Sequence, residues 1–313
     1  MKVLVTGGAG FIGSHIVDAL IKENHTVTVV DNLSQGKLEQ VHQEADFYQI
    51  DICSPELIKL IKKAAPEVII HQAAQIKVNN SIEDPIFDAR VNLIGTLNLL
   101  ESAAQCGVRK ITYASSAAVY GEPAYLAIDE DHPVNPISPY GVSKYAPEMY
   151  LKHYKNIHNL DYTVLRYANV YGPRQDASGE GGVVALFCDR LIQGETLTIH
   201  GDGEQTRDFI YVGDVASANL ATLTKGDGSI YNVGCNRPTS INELTKILSH
   251  ANHQSIKTKY TIPRPGDIKE SYLNSIKAQR ELDWKPQWSL HKGLAETLGS
   301  YRKDNRHLRV KVS

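Results

Sequence analysis

Tyr140 and Lys144 stand four residues apart in the run SPYGVSK at 138–144. Ser138 suits the position before a helix and Pro139 its first turn, so the run predicts a helix start. On that helix Tyr140 and Lys144 share one face, as i and i+4 residues do. A free tyrosine ionises near pH 10 and is a poor base at neutral pH. A fixed ammonium close by, together with the positive ring of a bound nicotinamide, favours the phenolate and makes Tyr140 a usable general acid and base. Upstream, an apolar run ends in YASSAAVYG at 113–121, where Ser116 is placed to hydrogen-bond the same substrate oxygen.

The chain opens on a second chemical signature. Gly7, Gly10 and Gly13 form a G-x-x-G-x-x-G array that follows Val-Leu-Val and begins a helical pattern. Glycines there let the backbone turn tightly and approach a pyrophosphate, which sits on the positive helix end. Asp31 follows the array by about 20 residues, the spacing of an acid that bonds the ribose hydroxyls of a dinucleotide. Its charge argues for NAD over NADP by repelling a 2′-phosphate. Asp51 ends the next strand pattern, either to meet the adenine amino group or as a plain turn residue.

The elements that must position these residues are legible as an alternation. Apolar runs at 3–5, 26–30, 47–50, 68–70, 110–114 and 162–165 read as strands, with helical patterns at 11–23, 55–64, 84–105 and 138–157 between them. Alternating β and α predicts an α/β fold with a doubly wound parallel sheet. After about residue 166 the pattern breaks into loops (172–182, 201–206) and short helices near 213–223, 241–251, 276–282 and 290–302. The expected domains are 1–166 with a returning segment at about 208–232, and a smaller lobe at 167–313 over the carboxyl edge of the sheet, where ligands bind.

The 313 residues are 42% hydrophobic and 22% charged, with net charge −2, so a dedicated nucleic-acid binder is not expected. No apolar run is long enough for a membrane span, and residues 1–6 lead straight into the glycine turn, unlike a signal peptide. The four cysteines are scattered, which fits a reducing cytoplasm. The twelve histidines show no metal-ligand spacing, so no metal is expected. The basic tail from Tyr301 reads as a solvated helix end.

The ensemble resembles the extended short-chain dehydrogenase/reductases and, within them, the NAD-dependent UDP-glucose 4-epimerase family. The motifs that carry the resemblance are TGGAGFIGSH at 6–15, DNLSQGK at 31–37, HQAAQ at 71–75, NLIGTLNLLE at 92–101, SSAAVYG at 115–121, SPYGVSK at 138–144, RYANVYGPRQD at 166–176, RDFIYVGDVA at 207–216 and RPGD at 264–267. The resemblance implies a catalytic set of Ser116, Tyr140 and Lys144. It implies NAD held by Gly7, Gly10, Phe11, Ile12, Gly13, Asp31, Asn32, Asp51 and Ile52, with Asn92 supporting the catalytic helix and Tyr140 and Lys144 near the nicotinamide. It implies a UDP-sugar held by Ser116, Asn169, Arg207, Arg264, Asp267 and Ser271: the two arginines on the diphosphate, Asp267 on the uridine ribose and Ser271 lining the sugar pocket. Many members carry Asn-Asn-Leu where this chain reads Gly181-Gly-Val-Val184. A homodimer through helices 84–105 and 138–157 is also implied.

Sister chemistries differ at readable positions. The 4,6-dehydratases carry Asp-Glu after the catalytic hydroxyl residue, and the decarboxylases keep the Glu. Here Ala117 and Ala118 stand there and can move no proton. UDP-glucuronate epimerases often show Thr in place of Asn169. A net reductase and a regulator that binds NAD without turnover complete the alternatives. An activated tyrosine argues against the regulator.

Overall fold

The computed structural model describes residues 1–177, 182–252, 256–264 and 266–310, with side chains as far as Lys303. Gly181, Pro265 of the RPGD stretch and the side chains that make the tail basic beyond Lys303 lie outside the described residues.

Strands β1 (Lys2–Thr6), β2 (Thr26–Asp31), β3 (Asp46–Gln49), β4 (Val68–His71), β5 (Lys110–Ser116) and β6 (Asp161–Tyr167) form one parallel sheet, joined by Ser229–Val233 at its edge. The spatial order is β3-β2-β1-β4-β5-β6 and then Ser229–Val233. Each strand is apolar on both faces because helices cover both. Leu4, Val30, Ile69 and Ile111 enter one core, while their neighbours Val3, Val5, Val29, Val68 and Ile70 enter the opposite one. The order reverses between β1 and β4, so a crevice opens at their carboxyl ends. The glycine array follows β1 there, His71 ends β4, and Ser116 ends β5.

Helix α1 (Phe11–Lys22) packs on Val212–Ala221 behind the crevice. A separate core joins helices Val183–Gln193, Ile241–Asn252 and Leu290–Val310 through Phe187, Ile199, Leu244, Leu248 and Leu294. Ile12 packs against this core and two others at once, so the start of α1 is wedged where the cores meet.

Three elements depart from the sequence reading. Val183–Gln193 is a helix ended by Gly194 at φ +75°, although its Val-Val-Ala-Leu-Phe start carries no helical signal. Ser229–Val233 completes the sheet, although its short run carries no strand period. The predicted helix 84–105 is interrupted: α-helix Pro85–Ala89 passes into a π-helical segment, Arg90–Gly95, and back to α at Thr96–Gln105.

Gly13 has no room for a side chain, since a Cβ there would lie 2.1 Å from the Gly7 carbonyl oxygen. Gly13→Ala should therefore cost about 1–3 kcal/mol by overpacking and spread the loop that holds the dinucleotide. Thermal unfolding and the ultraviolet absorbance of nucleotide retained after purification should both fall.

Candidate active site

The cofactor cradle is built from backbone. Gly7 adopts φ +68°, and a Cβ there would lie 2.6 Å from the Ala73 nitrogen, so only glycine permits the approach of the loop to the end of β4. The Gly10 N–H donates to Gly7 O at 3.1 Å, setting the turn into α1. No side chain caps α1 and no acid stands in its first turn, so its positive end stays open to an anion. Asp31 accepts N–H bonds from Ala9 at 3.0 Å and Leu33 at 2.8 Å, which aims its buried carboxylate beside the loop. Burial raises its pKa, against those two bonds. Asn32 Nδ2 donates to Asp51 at 2.8 Å, and Ile52 packs beneath Gly95. A cradle that a Cβ would fill, an open helix end and a carboxylate at the end of β2 fit a dinucleotide. Phe11 and Ile12 are packed into the cores below it.

Ser116, Tyr140 and Lys144, the expected catalytic residues, come from two elements. Ser138 caps helix Pro139–His158 by accepting the Gly141 N–H at 3.1 Å, and Pro139 takes its first turn, as the sequence predicts. The Tyr140 N–H donates to Ser81 Oγ at 3.1 Å. Its phenol lies close enough to Ser116 for that side chain to favour the phenolate, and Ser116 Oγ accepts the Ala118 N–H at 3.1 Å. Lys144 is buried one turn on, its Nζ 4.9 Å from the centroid of the Tyr113 ring.

Burial raises the Tyr140 pKa, the Ser116 side chain lowers it, and the charge of Asp88 raises it. Burial instead pushes Lys144 down to about 8, opposed by Asp88 and Glu148. The positive ring of a bound nicotinamide is the second charge that the sequence reading calls on to favour the phenolate.

Three supporting groups, Asp88, Glu148 and His71, have no role in the sequence reading. Asp88 is buried and accepts amide N–H bonds from Gln75 at 2.7 Å and Asn92 at 3.1 Å. Asn92, on the π-helical segment, also donates to Ser143 Oγ at 3.0 Å and accepts the Gln75 N–H at 2.8 Å, which links the loop after β4 to the helix of Tyr140. Glu148 is paired with Arg166 through bonds of 3.0 and 2.6 Å and takes the Ser115 hydroxyl at 2.6 Å. His71 is locked between Thr6 at 2.6 Å and Thr96 at 3.0 Å, and burial pushes it down to about 3. Thr96 gives its proton to Asn92 O, so His71 Nε2 is the protonated nitrogen and Nδ1 accepts from Thr6. Helical spacing was an available signal for two of these: Asp88 precedes Asn92 by four residues, and Glu148 follows Lys144 by four.

On the substrate side, Asn169 begins the short strand Asn169–Tyr171 and is exposed. Arg264 is exposed as well. Arg207 is engaged: it donates to the Thr206 and Ile268 carbonyls at 2.7 Å and forms an ion pair with Asp267. The sequence reading gave these two residues separate partners, diphosphate and ribose. The fold pairs them because Arg207 lies in a strand beside the segment that carries Asp267. Ser271 is half-buried, its N–H directed at Thr206 O at 3.3 Å. Two residues on, Leu273 packs in a cluster with Val119, Tyr120 and Ile128, against which Ala117, the neighbour of Ser116, also packs. Among the described residues no cluster of His, Cys, Asp and Glu could hold a metal, and no helix is long and apolar enough to cross a membrane.

A profile of the NAD dependent epimerase/dehydratase family matches residues 3–234. The UDP-glucose 4-epimerase of Mycolicibacterium smegmatis is 44% identical over 96% of this chain and 99% of its own. The structure of a Thermotoga maritima UDP-glucose 4-epimerase with UDP-glucose superposes with a TM-score of 0.95 at 45% identity, covering 97% of this chain and 100% of that one. A UDP-N-acetylglucosamine 4-epimerase from Methanobrevibacter ruminantium, in complex with UDP-N-acetylmuramic acid, gives 0.93 at 36% identity over 97% and 98%.

The buried ammonium has a cost that can be measured. The folded pKa of Lys144, about 8, lies below the ordinary value of 10.5, so below pH 8 the fold carries the whole desolvation cost, which vanishes as pH rises through 10.5. At about 1.4 kcal/mol per unit that cost is on the order of 3 kcal/mol. Lys144→Met should raise the melting temperature by a few degrees at pH 7, and the gain should shrink in scans above pH 8.

Proposed function

This chain belongs to the NAD dependent epimerase/dehydratase family, and on that footing we propose that it interconverts UDP-glucose and UDP-galactose at C4. The observation that carries the reading is the convergence of Ser116, at the carboxyl end of β5, with Tyr140 and the buried Lys144 on the helix capped by Ser138. NAD, when bound, supplies a hydride acceptor and donor beside the sugar. Gly7, Gly10 and Gly13 would cradle its pyrophosphate, and Asp31 its ribose hydroxyls. Asn32 and Asp51 would lie toward the adenine.

Tyr140 removes the proton from the 4-hydroxyl as C4 is oxidised, and Ser116 holds that oxygen in line. The resulting 4-keto sugar turns in the pocket, and Tyr140 returns its proton as C4 is reduced from the other face. Burial keeps Tyr140 protonated when no substrate or cofactor is bound. Lys144 keeps positive charge behind it without a salt link that would tie it down. Ala117 and Ala118 leave no acid to eliminate water across C5 and C6, which disfavours the dehydratase chemistry.

Residues 1–166 with about 208–232 would hold the cofactor, and 167–313 the UDP-sugar. Arg207 and Arg264 would take the diphosphate once Arg207 exchanges Asp267 for it, freeing Asp267 for the uridine ribose. Two chains would pair through the exposed apolar side chains Ile86, Phe87, Ile94, Val142, Met149 and Ile157, of which Ile86 is 81% and Ile157 71% exposed. The four free thiols suit a reducing cytoplasm.

Incubation with UDP-glucose and no added NAD should yield UDP-galactose. Tyr140→Phe should reduce turnover by about 10²–10⁴, the worth of acid–base catalysis, while retaining bound cofactor. Near-normal turnover by that variant would overturn the assignment.

The sugar pocket also admits an N-acetyl group on this reading. Side chains alternate along an extended segment. On that alternation Ser271 would share the face of Leu273, which packs in the cluster that Ala117 also joins, and Tyr272 would face the other way. A serine there leaves acetamido-sized space. Ser271→Tyr should depress turnover of UDP-N-acetylglucosamine far more than that of UDP-glucose. Equal losses on both would show that Ser271 is not the gate.

A further inference from the structure

Asp88 has no role in the reading above, yet it is among the most buried charged groups in the chain, at 1% exposure. Burying a carboxylate is expensive unless something offsets it. Among the described residues no cation makes ion-pair contact with it. Its direct partners are the neutral amides of Gln75 and Asn92. A neutral acceptor would meet those two N–H groups as well, so hydrogen bonding alone does not account for the charge.

Its surroundings do. Asn92 reaches from Asp88 to Ser143 Oγ, and Ser143 donates to the Tyr140 carbonyl at 3.1 Å, so Asp88 is tied to the first turn of the catalytic helix. The site is reached from every side. His71 on β4 is neutral, Tyr113 on β5 faces Lys144, and Arg166 on β6 is already committed to Glu148. Tyr140 and Glu148 share the helix of Lys144. With Glu148 matched by Arg166, Asp88 is the carboxylate left to balance the ammonium.

We propose that Asp88 is a positioning residue for the acid–base pair: anchored through Gln75 and Asn92, it supplies the fixed negative charge that keeps Lys144 cationic in a water-poor site. The inference rests on the reading of Tyr140 and Lys144 as that pair. The charge acts on both groups in the same direction, favouring the protonated forms of Lys144 and of Tyr140. Its removal must then move both titrations to lower pH, which a purely structural role would not do.

The test uses the NAD-loaded protein with Asp88→Asn, and Asp88→Ser as a second neutral variant should the first not fold. Two readouts are taken across pH: the rate of UDP-glucose epimerisation, and tyrosinate absorbance as the difference between each protein and its Tyr140→Phe counterpart. Loss of the charge should shift both limbs of the rate profile and the Tyr140 titration to lower pH by about one unit. Asp88→Glu, which keeps the charge, should leave them near their original positions even where its plateau rate is lower. A neutral variant that is slower at every pH with unmoved limbs and an unmoved tyrosinate titration would overturn the proposal, as would an Asp88→Glu shift equal to that of Asp88→Asn. A parent protein with no turnover would refute the epimerase reading instead, and the absorbance titration would still decide the role of Asp88.

Discussion

An ammonium group held out of water is the constraint around which this site is organised. Lys144 is 4% exposed, and burial drives its pKa down to about 8. A lysine left alone in such a place loses its proton or draws in water. Here it is surrounded by groups whose charge states are already settled. His71 is held neutral by two threonine hydroxyls, and Glu148 is taken by Arg166. The Tyr113 ring offers its face, and Asp88 stands behind two amides. The ammonium is thereby kept near Tyr140 without a contact ion pair to lock it.

That arrangement needs elements far apart in the chain to meet within a few ångströms. The π-helical segment Arg90–Gly95 is the local device that makes this possible. An extra residue in the turn shifts the side chains that follow, and such turns occur often at functional sites. In this chain it carries Asn92, which joins the end of β4 to the catalytic helix, and the Asn92 carbonyl accepts the Thr96 hydroxyl at 2.6 Å. A second network does the same on the far side. Arg166 on β6 donates to Tyr120 at 2.9 Å, Tyr120 to Asn232 at 2.7 Å, and Asn232 to the Ile128 carbonyl at 3.0 Å. The Ile128 N–H in turn bonds Tyr272 O at 3.0 Å, so the strand that completes the sheet also steadies the segment bearing Ser271.

The substrate side is held more loosely. Arg207 and Asp267 neutralise one another across two segments, and Arg264 and Asn169 are exposed. An ion pair at partial exposure is weak, roughly 0–1 kcal/mol, so on the proposed reading a diphosphate would displace the carboxylate with little loss. Rigid chemistry beside a compliant binding edge suits a reaction in which a sugar must turn between two hydride transfers.

Much of this was legible in the amino-acid sequence because it rests on local rules. Strands covered on both faces read as apolar runs. The glycine array, Asp31, the Ser138 cap and the Tyr140–Lys144 spacing each depend on residues close in the chain, and all stand where the pattern places them. What depended on neighbours distant in sequence was not legible. The helix Val183–Gln193 and the strand Ser229–Val233 owe their form to the cores they complete, since neither run has a period that distinguishes helix from strand. The direction of the Tyr140 shift and the pairing of Arg207 with Asp267 followed only once burial and approach were known. Asp88 and Glu148 lie at helical spacing from residues already singled out, but spacing cannot say whether a carboxylate faces water or the interior. Burial decides how strongly a charge acts, and burial is a property of the assembled fold.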